Sequence, residues 1–110
     1  MQISYDEFRK VDMRVGMVVG VDDLPQAKHP SYELRIDFGK DVGLKTSVAQ
    51  ITTHGKEELL GNMVIAVVNF PPKRIADVES EVLTLGVSDG TGSWAVVRPA
   101  KEVELGTRVE

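Results

Sequence analysis

Met13-Arg14-Val15-Gly16-Met17-Val18-Val19-Gly20-Val21 alternates in a way that decides the fold. Met13, Val15, Met17, Val19 and Val21 fall on one face, and Arg14, Gly16, Val18 and Gly20 on the other. That pattern predicts a half-buried strand. Gly16 and Gly20 leave it without side chains where a strand of a small barrel must bend sharply.

Downstream, Asp22 to Pro30 is bracketed by Pro25 and Pro30 and reads as a loop holding Lys28 and His29. Tyr32 to Phe38 is a second strand with Tyr32, Leu34, Ile36 and Phe38 on one face. After the turn Gly39-Lys40-Asp41, a third strand runs from about Val42 to Val48, with Leu44, Thr46 and Val48 alternating. The second half of Ala49 to Gly61 is a short helix closed by Gly61 at the C′ position. Met63 to Val68 is a continuous apolar run, which predicts a fully buried strand. A fifth strand spans about Glu81 to Val87. Ser88 to Ser93 is a hairpin turn by composition, and a sixth strand, Trp94 to Arg98, ends at Pro99. The alternating tail Val103 to Val109 suits pairing with a sheet edge.

Upstream lies a short helix with marked ends. Ser4 and Glu7 have capping-box spacing, and Ile3 and Phe8 stand where a hydrophobic staple would sit. Asp6 and Glu7 in the first turn and Arg9 and Lys10 in the last match the helix dipole. About two turns do not stand alone, so Tyr5, Phe8 and Val11 require cover from the domain body or a partner subunit. Three strands, a short helix and two more strands is the order of an OB-fold. The expected architecture is all-β: a five-stranded OB-fold Greek-key barrel. It carries a short N-terminal helix, a short helix between strands 3 and 4 and a C-terminal extension. Residues 1–110 make one domain.

Composition narrows the function. The net charge is −4, whereas generic nucleic-acid coats are basic because affinity comes from neutralising phosphates. Only 5% of residues are aromatic, too few for a broad base-stacking platform. There is no cysteine, which suits a cytoplasmic protein. The first residues lack a signal-peptide pattern, and the longest apolar run is six residues, far short of a membrane span. A soluble, intracellular protein without membrane insertion is expected. His29 and His54 lie in separate loops and read as surface histidines, without ligand spacing for a metal. No Walker loop, dinucleotide fingerprint or nucleophile elbow is present. A binder without cofactors is expected, not an enzyme.

The candidate contact surface is Asn69-Phe70-Pro71-Pro72-Lys73-Arg74-Ile75. Two prolines end the preceding strand and stiffen a loop that presents an aromatic ring and two adjacent cations.

Several blocks resemble a known family. Val11-Asp12-Met13-Arg14-Val15-Gly16 and Val67 to Ile75, followed by Glu79-Ser80-Glu81, are similar to the signatures of the tRNA-binding OB-fold domain found at the C-terminus of methionyl-tRNA synthetases. Ile36 to Gly39, Ser47 to Thr52, Ala66 to Ala76 and Ser80 to Leu83 resemble its export-related chaperone branch, CsaA. The resemblance implies a cytoplasmic homodimer that binds unfolded or pre-secretory polypeptides and assists Sec-dependent export. The implied peptide site comprises Phe70, Pro71, Pro72 and Ile75, faced by Ser47, Ala49, Gln50 and Ile51. The alternative is tRNA binding through Lys28, Lys45, Lys73, Arg74 and Ser80, with Arg35 and Arg98 as further cations. The loop departs from the tRNA-binding pattern: Phe70-Pro71 and Ala76-Asp77 stand where that pattern carries cations and a glycine. Lost cations lower phosphate affinity, which favours a polypeptide ligand.

Overall fold

Eleven elements follow one another in the computed structural model, which describes residues 1–110. They are α1 (Tyr5–Arg9), β1 (Met13–Asp23), β2 (Tyr32–Asp37), β3 (Leu44–Ala49), α2 (Lys56–Leu59), β4 (Met63–Val67), β5 (Lys73–Ile75), β6 (Val78–Ser80), β7 (Leu83–Thr84), β8 (Gly86–Ser88) and β9 (Trp94–Val96). Five strands form an antiparallel sheet in the order β3-β2-β1-β4-β7, rolled into a nearly closed barrel. The all-β barrel expected from the sequence is the fold observed.

β1 serves two neighbours in succession. Its first half, Met13 to Met17, pairs with β4, and Met17 to Asp23 pairs with β2. A register shift between Val18 and Gly20 makes Val19 a bulge, and bulges of this kind bend and twist a strand. The alternation read from the sequence therefore breaks there. Val18 is fully buried, Val21 packs against the same core, and Val19 between them is 48% exposed. The core side of β1 is the Gly16–Val18 side, not the Met13–Val15–Met17 side. Gly16 shows why: a Cβ there would meet Ile36 Cγ2 at 2.5 Å and the Phe38 ring at 2.7 Å. The barrel closes over a position that only glycine can occupy without displacing those two side chains.

β2 behaves as its sequence reads, with Tyr32, Leu34, Ile36 and Phe38 all buried. Its register fixes β3. Leu34 stands opposite Ser47 and Tyr32 opposite Ala49, so Ser47 and Ala49 face inward and Leu44 is exposed. Opposed residues share a face of the sheet. Leu59 from α2, with Val64 and Ala66 from β4, completes the interior.

Two other boundaries differ from the sequence reading. The stretch after Pro72 is a hairpin, β5–β6, not an open loop. The expected fifth strand splits into β7, on the barrel, and β8, which pairs with β9 in a separate hairpin. The tail does pair with an edge. Val15 N–H donates to Thr107 O at 3.0 Å, Gly106 N–H to Val15 O at 2.8 Å and Val109 N–H to Met13 O at 2.8 Å. It lies beside the first half of β1, where β2 is not paired.

Asp12 ties these ends together. Arg14 donates to its carboxylate through Nε at 2.6 Å and Nη2 at 3.2 Å, and Arg108 Nε lies 3.7 Å away. Asp12 N–H donates to Asn69 Oδ1, and Asn69 Nδ2 donates to the Lys10 carbonyl. The end of the helix, the start of β1, Asn69 beyond β4 and the tail thus meet around Asp12. Arg14's hydrogen bond holds the Asp12 carboxyl below its usual range. α1 itself has the expected capping box between Ser4 and Glu7, but Ile3 and Tyr5 remain more than 60% exposed.

Because the folded-state pKa of Asp12 is depressed, its contribution is full above the unfolded value of about 4 and is lost as pH falls through the lower folded value. Asp12→Asn is expected to cost about 1–2 kcal/mol at neutral pH and to flatten the acid side of the stability curve. Urea melts from pH 2 to pH 7 measure both.

Candidate functional site

The barrel is not closed by a regular ladder. Between β3 and the segment from Ser80 to Thr84, side chains replace part of it. Glu81 N–H donates to Thr46 O at 2.8 Å, Thr46 N–H to Glu81 Oε1 at 2.9 Å and Val48 N–H to Ser80 Oγ at 2.9 Å. Beneath them the Ser47 and Thr84 hydroxyls meet at 2.8 Å in the interior. Val48 and Leu83 face outward over this seam, and a groove opens on either side of them.

The first groove, about 320 Å³, lies under the β5–β6 hairpin. Phe70, Pro71, Ile75 and Val82 give it apolar walls, and Lys73, Ser80 and Glu81 add polar groups. Antiparallel pairing of Lys73 with Ser80 and of Ile75 with Val78 turns Lys73 and Ile75 to the same side. Phe70 is 52% exposed, a ring left partly in water at the groove's edge. The second groove, about 310 Å³, is lined by Ala49, Gln50, Ile51, Leu85 and Trp94 among others. Val48 and Leu83 line both, so the two form one trough across the seam.

The β8–β9 hairpin forms the far wall and is anchored by polar bonds. Trp94 N–H donates to Gln50 O at 3.0 Å, and Thr53 N–H donates to Ser93 Oγ at 2.9 Å. Val96 N–H donates to Nε2 of His54, whose Nδ1 lies 3.5 Å from Glu58 Oε2. His54 is therefore a buttress with a side chain only 17% exposed, which corrects its reading as a surface residue. In the hairpin turn, hydrogen bonds from the Thr91 hydroxyl, from Thr53 and from the Thr91 amide hold the Asp89 carboxyl down to about 2.

Seven of the eight residues assigned to a peptide surface lie on or beside this trough: Phe70, Pro71 and Ile75 in one groove, Ala49, Gln50 and Ile51 in the other, and exposed Pro72 next to Pro71. Ser47 is the exception. It is fully buried and its hydroxyl is spent on Thr84, because the register on β2 turns it inward. The cations are spread differently. Lys73 borders the first groove with Ser80. Arg74 points to the opposite side of the hairpin, paired in register with Glu79. Lys45 lies 4.0 Å from Glu81 Oε2. Lys28 is exposed in the β1–β2 loop, which touches the β5–β6 turn through Gln26 Nε2 and the Ala76 carbonyl at 3.4 Å. Arg35 is exposed on β2. Arg98 donates to the Glu58 carbonyl at 2.8 Å. Val48, Glu81, Val82, Leu83, Leu85 and Trp94 were missed from the sequence. Leu83 and Leu85 flank inward-facing Thr84 in a β pattern, which was the available signal.

The family described as "Putative tRNA binding domain" matches residues 13–108. Methionine–tRNA ligase of Thermococcus kodakarensis is 40% identical over 108 residues, which are 97% of this chain but 14% of the ligase. The chain thus spans about one-seventh of the length of that curated relative. Among solved structures, the CsaA chaperone protein from Picrophilus torridus superposes with a TM-score of 0.92 at 44% identity, over 99% of this chain and 100% of that one. The chaperone CsaA from Bacillus anthracis superposes with the same TM-score of 0.92 at 39% identity, over 100% of both chains.

The β5–β6 turn carries the first groove's roof and is strained. Ala76 and Asp77 both have positive φ, 48° and 68°, the two-residue turn that prefers Asn-Gly. Left-handed backbone costs an alanine about 1 kcal/mol. Replacing the pair by Asn-Gly (Ala76→Asn with Asp77→Gly) is expected to add about 1 kcal/mol of stability, measured by thermal melting.

Proposed function

The chain belongs to the tRNA-binding domain family, in its CsaA-like branch, and on that premise we propose that it is a non-catalytic chaperone for unfolded polypeptides. The observation that carries this reading is the trough: two apolar grooves joined over Val48 and Leu83, with partly exposed Phe70 and Trp94 at its margins. An unfolded client offers apolar side chains on an extended backbone. Transfer of such side chains from water is worth about 25 cal/mol per Å², and a preformed groove avoids ordering costs on the protein's side. In this reading the clients include pre-secretory polypeptides, met in the cytoplasm and passed to Sec translocation components.

A second reading, tRNA binding, is favoured by the family and by one local observation. Lys28, Lys73 and Arg74 make no ion pair, and the loop of Lys28 touches the β5–β6 turn. The polypeptide reading is preferred because the trough is walled mainly by apolar side chains. Lys73 and Arg74 also diverge across the hairpin, and Lys45 is engaged by Glu81. A phosphate backbone needs several cations converging on one track.

Titration of a fluorescein-labelled, reduced and carboxymethylated polypeptide should saturate in the micromolar range. Leu83→Glu should weaken it at least tenfold, and Lys73→Ala with Arg74→Ala much less. Absence of saturable binding sinks the chaperone reading. Conversely, tRNA affinity that falls with salt at a log–log slope of about −2 to −3 and is lost in Lys73→Ala with Arg74→Ala favours the second. A pull-down from cell extract with and without nuclease identifies clients, and signal-bearing precursors among them support the export role.

We further propose that the chain works as a homodimer. The support is α1 and its flanks: Tyr5 of the helix, with Ile3 before it and Val11 after it, is left uncovered by the chain's own barrel, although so short a helix needs a packing surface. Sedimentation at micromolar concentration is expected to give twice the 12.1 kDa chain mass. A 12.1 kDa species would refute the dimer.

A further inference from the structure

Along the outward edge of β3 and its continuation, the stretch between Thr46 and Gln50 is occupied at its two ends and open between them. Thr46 spends its N–H on the Glu81 carboxylate and its carbonyl on the Glu81 N–H. Val48 spends its N–H on Ser80 Oγ. The Gln50 carbonyl accepts from Trp94 N–H at 3.0 Å and from Ser93 Oγ at 3.1 Å. Two main-chain groups remain. In an antiparallel pair, a residue's N–H and C=O point to the same side, so the Val48 carbonyl faces outward with its N–H, away from β2. The Gln50 N–H donates to no protein group. The Val48 group lies where the two grooves join and the Gln50 group on the wall of the second, since Val48 lines each groove and Gln50 lines the second.

We propose that this gap in the β3 edge is a main-chain docking point for one extended polypeptide segment. This rests on the polypeptide reading above and states how the client is held. A carbonyl at one residue and an N–H two residues on match the N–H and C=O of a single residue in a strand running parallel to β3. The alternating side chains of that strand would enter the trough. Main-chain pairing gives affinity without dictating sequence, and the flanking pockets give preference for apolar residues, which is what a binder of many clients requires. Charge complementarity narrows the occupant further. Lys73 borders the first groove and has no carboxylate within ion-pair distance. Glu81, the groove's other charge, is already engaged by Thr46 N–H and Lys45. The fitting segment is therefore extended, alternately apolar and acidic at one position. The sugar-phosphate backbone of an RNA strand carries no amide N–H to meet the Val48 carbonyl.

The test uses a fluorescein-labelled peptide of eight residues, alternating valine and threonine with one aspartate, beside the carboxymethylated polypeptide. Backbone N-methylation is scanned one residue at a time, because each methyl removes one main-chain donor and leaves the side chain. Methylation of the docked residue should weaken binding about tenfold, the scale of losing a buried hydrogen bond, and its neighbours less than twofold. Amide exchange at Gln50 should slow at saturating peptide, and aspartate-to-lysine replacement in the peptide should weaken binding. If peptide and polypeptide both bind but no methylated position matters and Gln50 exchange is unchanged, main-chain docking is wrong and the chaperone reading stands. If neither binds, both fail.

Discussion

The structure depends on β1 changing partners along its length. Its first half belongs to β4 and its second to β2, and such a strand must bend and twist between them. Two local features permit this: the bulge at Val19 and the missing side chain at Gly16, where Ile36 and Phe38 occupy the space of a Cβ. Once β1 is set, the register of β2 follows, and β2 in turn fixes which face of β3 is buried. The open side of β1's first half is then completed by the tail from Gly106 to Val109. Asp12 and its two arginines hold that closure where four segments meet.

The same constraint produces the trough. In this barrel of twisted strands, the two strands at the ends of the sheet order come together without a backbone ladder. Here that pair is β3 and β7, and Ser80, Glu81 and the buried Ser47–Thr84 contact substitute for the missing bonds. Substitution by side chains keeps the barrel shut yet leaves the outer surface of the seam furrowed. The two hairpins, β5–β6 and β8–β9, stand on either side and deepen the furrow into grooves. Polar groups thus spent on closing the fold leave apolar side chains to line the furrow.

Charge is distributed in keeping with this. An acidic chain of net charge −4 keeps cations on and around the β5–β6 hairpin, but it pairs or separates them. Lys45 faces Glu81, and Arg74 stands across from Glu79. The hairpin that could have gathered a phosphate track instead carries Asp77 at its tip and apolar residues beneath it. Around this hairpin the cations do not converge on one track, and the walls beneath it are mainly apolar.

The element order, the all-β class, the capped N-terminal helix, the buried face of β2 and the importance of the stretch after Asn69 were legible in the sequence. Each is set by residues close together: capping spacing at Ser4 and Glu7, period-two burial from Tyr32 to Phe38, and prolines that cannot extend a ladder. Tertiary structure alone decided the rest. It turned β1's glycine side inward, because a barrel interior filled by Ile36 and Phe38 has no room for another Cβ. It buried Ser47 through the register with Leu34, made His54 a support for Val96, and brought Val48, Leu83 and Trp94 together from separate strands. These outcomes rest on strand pairing and on the angle at which the barrel closes, quantities that belong to contacts distant in sequence and that no local pattern encodes.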